Sequence, residues 1–251
     1  MKNFEGKVAI VTGGARDIGR AISEKLGSGG AKVVVNYRGN EANAKATVDS
    51  IKKAGGTAIA VAGDMTKQAD VENLVNKTRE AFGENIDVLV NNVGGLVERR
   101  ALAEMDVEFF EWVMRLNVTS TFLTSKFVSP HMKEGAAIVN LASLAGRDGG
   151  GPGSAAYATS KGAVMTFTRS LAKELGPRNI RANCVCPGMI ATTFHDTFTK
   201  DAVRTNVAAA TPLRREGEAR EVADLVAYLA SAEASFINGA SVDINGGLAF
   251  S

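Results

Sequence analysis

Cysteine, histidine and concentrated charge are scarce in this chain, and each scarcity removes a class of chemistry. Two cysteines occur in 251 residues, Cys184 and Cys186. Their spacing within a strand-like run puts both side chains on one face and too far apart to bridge easily, so they read as reduced packing residues. The two histidines, His131 and His195, show no ligand spacing, and no metal site is expected. Lys and Arg are scattered and the net charge is only +2, which lacks the basic footprint of a nucleic-acid binder. No apolar run reaches membrane-spanning length. The opening MKNFEGKVAIVTGG carries Lys2, Glu5 and Lys7 where a signal peptide needs an apolar core. These absences predict a cytoplasmic chain with no membrane or nucleic-acid partner.

What remains is an ordinary globular composition, 45% hydrophobic and 22% charged, over a length ample for a sizeable core. Apolar, β-branched runs at 7–12, 31–37, 57–64, 86–92, 135–143, 178–188 and 240–246 read as strands. Helical periodicity fills the intervals after residue 17 and over 40–54, 67–82, 107–132, 155–175 and 218–231. No repeat or Pro/Ser-rich linker divides the chain. Strands apolar on both faces, alternating with helices, predict an α/β single domain over 1–251: a Rossmann-like, doubly wound, mainly parallel seven-stranded sheet with helices on both faces. Such sheets bind ligands at the carboxyl ends of their strands, where the strand order reverses.

TGGARDIG (12–19) falls immediately after the first strand and opens a helix. Gly13 and Gly14 allow a tight turn and Gly19 a close backbone approach, so free amides at the helix start can meet a pyrophosphate. The second strand ends at neutral Asn36, where an NAD site usually carries Asp or Glu for the ribose hydroxyls. Arg38 follows and Arg16 lies in the glycine loop, two guanidiniums suited to a 2′-phosphate. NADP(H) is therefore favoured, with NAD(H) use left open. Farther along, Tyr157 precedes Lys161 by four residues, which on a helix sets the ammonium one turn from the phenol. An ordinary helix surface gives the same spacing. A proton donor for carbonyl reduction gives it a purpose, because a free phenol near pKa 10 is a poor acid at neutral pH and a neighbouring cation lowers that value.

TGGARDIG, Asp64, NNVG (91–94), Asn117, Ser143, YATSK (157–161), PG (187–188) and NGG (245–247) occur in the order of the short-chain dehydrogenase/reductase family, which this chain resembles along nearly its whole length. The resemblance implies Tyr157 as general acid/base, Lys161 as the cation that lowers its pKa and binds the nicotinamide ribose, Ser143 on the substrate oxygen and Asn117 holding a relay water. Ser154 is a nearby alternative to Ser143. The implied cofactor shell comprises Gly13, Arg16, Asp17, Ile18, Gly19, Asn36, Tyr37, Arg38, Asp64, Met65, Asn91, Val93, Gly94, Tyr157, Lys161, Pro187, Gly188, Ile190 and Thr192, with Thr193 an alternative to Thr192. Asp17 stands where the family usually has glycine. It is expected to cap the helix, point away from the phosphates and tolerate a left-handed backbone. The glycine-rich GRDGGGPG (146–153) makes the serine-to-tyrosine gap about one residue longer than usual.

Residues 189–212 mix apolar and polar positions, as in a lid over an apolar substrate; a packed helix pair is the plainer alternative. Nothing in Leu96, Val97, Leu144 or this segment offers a charged clamp, so a neutral or acyl-chain carbonyl is expected. The pattern is similar to the 3-oxoacyl-carrier-protein reductases. Lys133, Lys173 and Arg178 could then receive an acidic carrier. Sugar or polyol dehydrogenases, broad carbonyl reductases and a non-enzymatic NADP-binding regulator are the competing readings. Homotetramers are common in the family, and the terminal GLAFS suits a subunit contact.

Overall fold

The computed structural model describes residues 3–250. From the N-terminus, β1 (Val8–Val11) leads into α1 (Asp17–Ser28), β2 (Lys32–Tyr37), α2 (Glu41–Lys53), β3 (Thr57–Ala62) and α3 (Gln68–Phe82). The alternation resumes with β4 (Val88–Asn91), α4 (Val107–Met114), α5 (Ser120–Val128), β5 (Ala137–Leu141), a short α6 (Ala145–Asp148), α7 (Ala155–Leu175) and β6 (Arg181–Pro187). A two-residue β7 (Ile190–Ala191), α8 (Thr193–Phe198), α9 (Asp201–Ala210) and a two-residue β8 (Gly217–Glu218) precede α10 (Ala219–Ala230) and β9 (Ser241–Ile244).

Seven strands pair in the order β3-β2-β1-β4-β5-β6-β9, every pair parallel. The strands are apolar throughout because helices cover both faces. In β1, Ala9 and Val11 pack with Ile22 and Leu26 of α1 and Val222 and Val226 of α10. Ile10 between them turns to Leu74 of α3 and Leu123 of α5. Each fully buried aliphatic side chain contributes about 1.5–3 kcal/mol. The close pairing of α1 and α2 needs Gly27, since a Cβ there would meet Ile51 Cγ2 at 2.7 Å.

The helix expected over 107–132 is interrupted by one π-helical turn, Arg115–Thr119, between α4 and α5. Such a turn accommodates an inserted residue without breaking the helix, and it carries Asn117. The segment 189–212 forms β7, α8 and α9, with β7 paired in parallel to β8.

β1 lies between β2 and β4, so successive connections diverge there and open a crevice at the carboxyl ends of the strands. Asn91, at the end of β4, was expected to line that crevice and does not. It is buried, donating to Asn140 Oδ1 at 2.8 Å and Ser125 Oγ at 3.1 Å and accepting from Thr124 Oγ1 at 2.5 Å. A buried amide finds its partners in the interior, and this one joins β4 and β5 to α5. Asn91→Ala leaves three buried polar partners short of a bond, and should lower stability by about 2–3 kcal/mol, read as a reduced urea midpoint at pH 7.

Candidate active site

The crevice is a cavity of about 930 Å³ running from the α1 start to α8, near the upper end of the roughly 300–1,000 Å³ common for ligand clefts. At one end the glycine loop is held by two asparagines. Asn36, 1% exposed, accepts from Gly13 N at 3.1 Å and donates to Gly63 O at 3.1 Å and Val61 O at 3.3 Å. Its side chain thus ties the glycine loop to the end of β3, and the residue lines the cavity as expected. Asn92 donates to the carbonyls of Thr12 and Gly13, both at 3.1 Å. Gly13 has φ +60°, and any Cβ at Gly19 would collide with the Gly13 carbonyl, so both positions require glycine. Arg16, at the N-cap of α1, places no side-chain acceptor on the first-turn amides. An uncapped helix start opening into a cleft fits a phosphate group.

Tyr37, Arg38, Asp64 and Met65 line the same end. Arg38 Nη1 lies 3.6 Å from Asp64 Oδ2. Burial works to raise the Asp64 pKa, but hydrogen bonds from Thr66 N and Oγ1 and the Arg38 cation outweigh it and hold the carboxyl below its ordinary value.

At the other end Ser143, just after β5, and Tyr157 on α7 are hydrogen-bonded to each other. Ser154, the alternative serine, also lines the cavity, but its hydroxyl donates to Gly151 O at 2.5 Å. Lys161, 4% exposed, donates from Nζ to Leu141 O at 2.6 Å and lies 5.8 Å from the Tyr157 ring centroid. Burial lowers its pKa to about 8, with the Cys184 and Cys186 thiols pulling the other way. The phenol moves opposite to expectation. Burial pushes Tyr157 above its ordinary value, and the Ser143 hydrogen bond offsets only part of that. Lys161 spends its charge on a carbonyl instead of on the phenol oxygen.

Asn117 is wholly buried and does not line the cavity. Its Oδ1 accepts from Gly95 N and its Nδ2 donates to Gly95 O, each at 3.0 Å, with a further bond to Val113 O at 2.9 Å. The side chain expected to hold a water instead fastens the loop after β4. A Cβ on Gly94 would meet Asn117 Oδ1 at 2.5 Å and Lys161 Nζ at 3.0 Å, so the three groups share one packed corner. Val93, Gly94, Pro187, Gly188, Ile190 and Thr192 all line the cavity, as do Ile18 and Gly19.

Residues 13–249 match the family described as enoyl-(acyl carrier protein) reductase. The 3-oxoacyl-[acyl-carrier-protein] reductase of Escherichia coli is 39% identical, with 98% of each chain covered. Glucose 1-dehydrogenase 2 of Bacillus subtilis is 35% identical over 98% of this chain and 96% of its own. Among solved structures, a short-chain dehydrogenase of Burkholderia cenocepacia in complex with NADP superposes with TM-score 0.92 at 34% identity, covering 98% and 99% of the two chains. An NADH-dependent reductase responsible for alginate metabolism superposes with TM-score 0.91 at 32% identity over the whole of both. This chain is a short-chain dehydrogenase/reductase. As such it is an oxidoreductase that uses a nicotinamide cofactor.

Against that family pattern, Asp17 needs its own account. It has φ +49°, a left-handed conformation that Asp tolerates. Contrary to expectation it does not cap α1; its carboxylate crosses the cleft to accept from Thr193 N at 3.2 Å and Thr193 Oγ1 at 2.5 Å. Arg16 Nη1 joins them, 3.3 Å from the same hydroxyl. Thr192, the expected cofactor contact, bonds back to Ile190 O at 3.1 Å. Sequence reasoning also missed Asn92, the second asparagine of NNVG; Phe194, one of the apolar positions of 189–212, has its ring 5.9 Å from that of Tyr157. It passed over Arg99 and His195, both of which line the cavity. A charged residue in the loop following a sheet's switch-point strand was the available signal for Arg99.

Asp17→Gly removes an anion beside the helix start and relieves the left-handed backbone. Nicotinamide dinucleotide binding should tighten about fivefold (~1 kcal/mol), and high salt should shrink the gain by screening. Fluorescence titration of the reduced dinucleotide checks both.

Proposed function

We propose that this enzyme is an NADP(H)-dependent reductase that interconverts a carbonyl and a secondary alcohol, with a 3-oxoacyl thioester as substrate. The observation that carries the reading is the convergence of Ser143, Tyr157 and Lys161 with the glycine loop on one cleft. When bound, the nicotinamide supplies or accepts hydride. Ser143 and Tyr157, already hydrogen-bonded to each other, present two hydroxyls to the carbonyl oxygen. The buried phenol keeps its proton until negative charge develops on that oxygen, then donates it. Lys161, fixed on Leu141 O, keeps two ammonium protons for the nicotinamide ribose and adds a positive field that favours the phenolate left behind.

NADP over NAD is supported by Arg16 and Arg38 on the cavity wall and by the neutral Asn36 beside them, which offers no carboxylate to the ribose hydroxyls. The thioester is supported by the identity to the Escherichia coli enzyme and by apolar Phe194 and Phe198 on the wall. We assign 189–212 as a lid, since Phe194 packs on Tyr157. Lys133, Lys173 and Arg178, the candidate carrier contacts, lie away from the mouth of the cleft. Lys173 lies 16 residues past Tyr157 on α7, about 24 Å along the axis, and Lys133 precedes β5, so all three occupy the opposite edge of the sheet. Arg178 donates to Met132 O at 2.8 Å and Ser129 O at 3.0 Å. Exposed Phe110, Phe122 and Phe250 are the surfaces through which we expect a homotetramer to form.

NADPH oxidation over a panel of 3-oxoacyl thioesters, ketones and sugars tests the reaction, and Tyr157→Phe should abolish it with NADPH affinity held within about threefold. Turnover surviving that change would overturn the assignment. Arg38→Ala should weaken NADPH about tenfold or more and leave NADH nearly unchanged. The Lys161 amine is cationic below about 8 and neutral above. NADPH affinity should accordingly fall as pH rises through that value, and the step should vanish in Lys161→Met, both followed by fluorescence.

A further inference from the structure

The arginines around this cleft are matched with carboxylates, with one exception. Arg38 faces Asp64, Arg147 pairs with Asp243 at 2.6 Å, and Arg204 with Glu216 at 2.7 Å. Arg100 has both Glu98 and Asp106 at 3.0 Å. Its neighbour Arg99 forms no ion pair among the described residues. Its Nε donates to Phe198 O at 3.2 Å and its Nη1 to Pro152 O at 3.0 Å. One carbonyl belongs to the end of α8 and the other to the loop that enters the Tyr157 helix, so the guanidinium spans two walls of the cavity. Backbone carbonyls orient it without cancelling its charge, and Nη2 has no protein partner among the described residues.

The backbone is built to bring it there. Val97, two residues earlier, has φ +67°, a conformation that a β-branched residue adopts only under constraint from its surroundings. Arg100 N donates to Gly153 O at 3.0 Å. Gly153 has φ +75°, and a Cβ there would come within 3.0 Å of Arg99 Cβ and 3.1 Å of Arg100 N. The glycine-rich stretch 146–153 thus has a use: it lets the 97–100 segment dock against the start of α7. The other ionisable groups on this wall do not neutralise Arg99. Asp148 accepts from Gly150 N at 2.8 Å. His195 is held below its usual pKa mainly by burial, against Glu216 and with the Arg204 and Arg99 cations, and so stays neutral.

We propose that Arg99 is the anion-binding residue of the substrate end, and that the carbonyl substrates of this enzyme bear a carboxylate or phosphate group away from the reacting carbon. The assignment rests on the carbonyl-reduction reading above. It replaces the expectation of a site without a charged clamp, and it accommodates a thioester through the phosphate of a pantetheine arm as well as a free oxo acid through its carboxylate. A guanidinium offers either group a planar, paired set of donors.

The test uses matched substrates with the full chain and NADPH. One series comprises oxo acids with one to five carbons between ketone and carboxylate, each against its methyl ester. The other is 3-oxobutanoyl pantetheine with and without its 4′-phosphate. In at least one series the wild type should show kcat/KM tenfold or more higher for the anionic member, and the series identifies the source of the anion. Arg99→Met should erase that preference through KM, with kcat, the neutral partner and NADPH affinity all within about twofold, and Arg99→Lys should restore part of it. Equal or better use of the neutral members by the wild type would overturn the proposal, as would equal losses on both members in Arg99→Met. Absence of any NADPH oxidation across the panel would instead remove the carbonyl-reduction reading, and this assignment with it.

Discussion

A lysine amine that is 4% exposed, with its charge resting on one carbonyl at the end of β5, sets the terms for the catalytic end of the molecule. Burying an ammonium is costly unless it is hydrogen-bonded, and burial accordingly lowers the pKa of this one. The site tolerates it because β5 stops at Leu141 and exposes a carbonyl with no further strand residue to bond. The same end of β5 delivers Ser143 two residues later, and α7 brings Tyr157 back one turn above the lysine. Ser143, Tyr157 and Lys161 are therefore placed by a single strand-to-helix connection. The long-range contribution is the corner formed by Gly94 and Asn117, which closes over the amine and leaves no room for a side chain on the loop after β4.

A second set of buried polar groups does the same for the nucleotide end. Asn36, Asn91, Asn92 and Asn117 resemble candidate ligand contacts, yet each side-chain amide bonds to backbone or to other buried side chains. Satisfied networks of this kind rigidify what they touch, because every alternative arrangement leaves a polar atom unpaired in a low-dielectric interior. They hold the glycine loop and the loop after β4 at fixed positions, Asn36 and Asn92 from the cavity wall and Asn91 and Asn117 from behind it. An asparagine at a strand end can therefore be essential to the cleft while being absent from its surface.

This division explains what was readable from the residues alone. The seven strands were legible because a parallel sheet covered on both faces demands unbroken apolar runs, and the 3.6-residue period of α7 put Lys161 beside Tyr157 without any tertiary knowledge. The π turn at Arg115–Thr119 was not legible, since one extra residue in a helix leaves the apolar period almost unchanged. Nor was the direction of the asparagine side chains: Asn36 and Asn91 find partners 23 to 49 residues away, and local pattern carries no information about such contacts. The Asp17–Thr193 contact spans 176 residues. Arg99 and Arg100 are adjacent and chemically identical, and only the folded chain shows that, among the described residues, Arg100 is neutralised by two carboxylates and Arg99 by none.

The two ends of the cleft also differ in how they can change. Around the glycine loop, substitutions meet backbone or buried amides, as at Gly19, where a single added carbon strikes the Gly13 carbonyl. The wall formed by 94–101, 146–153 and 189–198 is joined mainly by contacts of another kind: Arg99 on two carbonyls, Asp17 on Thr193, Phe194 on Tyr157. Each is a side chain reaching across solvent-accessible space, replaceable without leaving an unpaired buried group. A scaffold built this way keeps its nucleotide geometry under strong constraint while the charge and shape presented to the substrate vary at little cost in stability. Relatives 35–39% identical to this chain can accordingly bear names as different as a 3-oxoacyl reductase and a glucose dehydrogenase. What distinguishes this chain is then to be sought where an uncompensated charge and a strained valine occur together, at the mouth beside Arg99 and Val97.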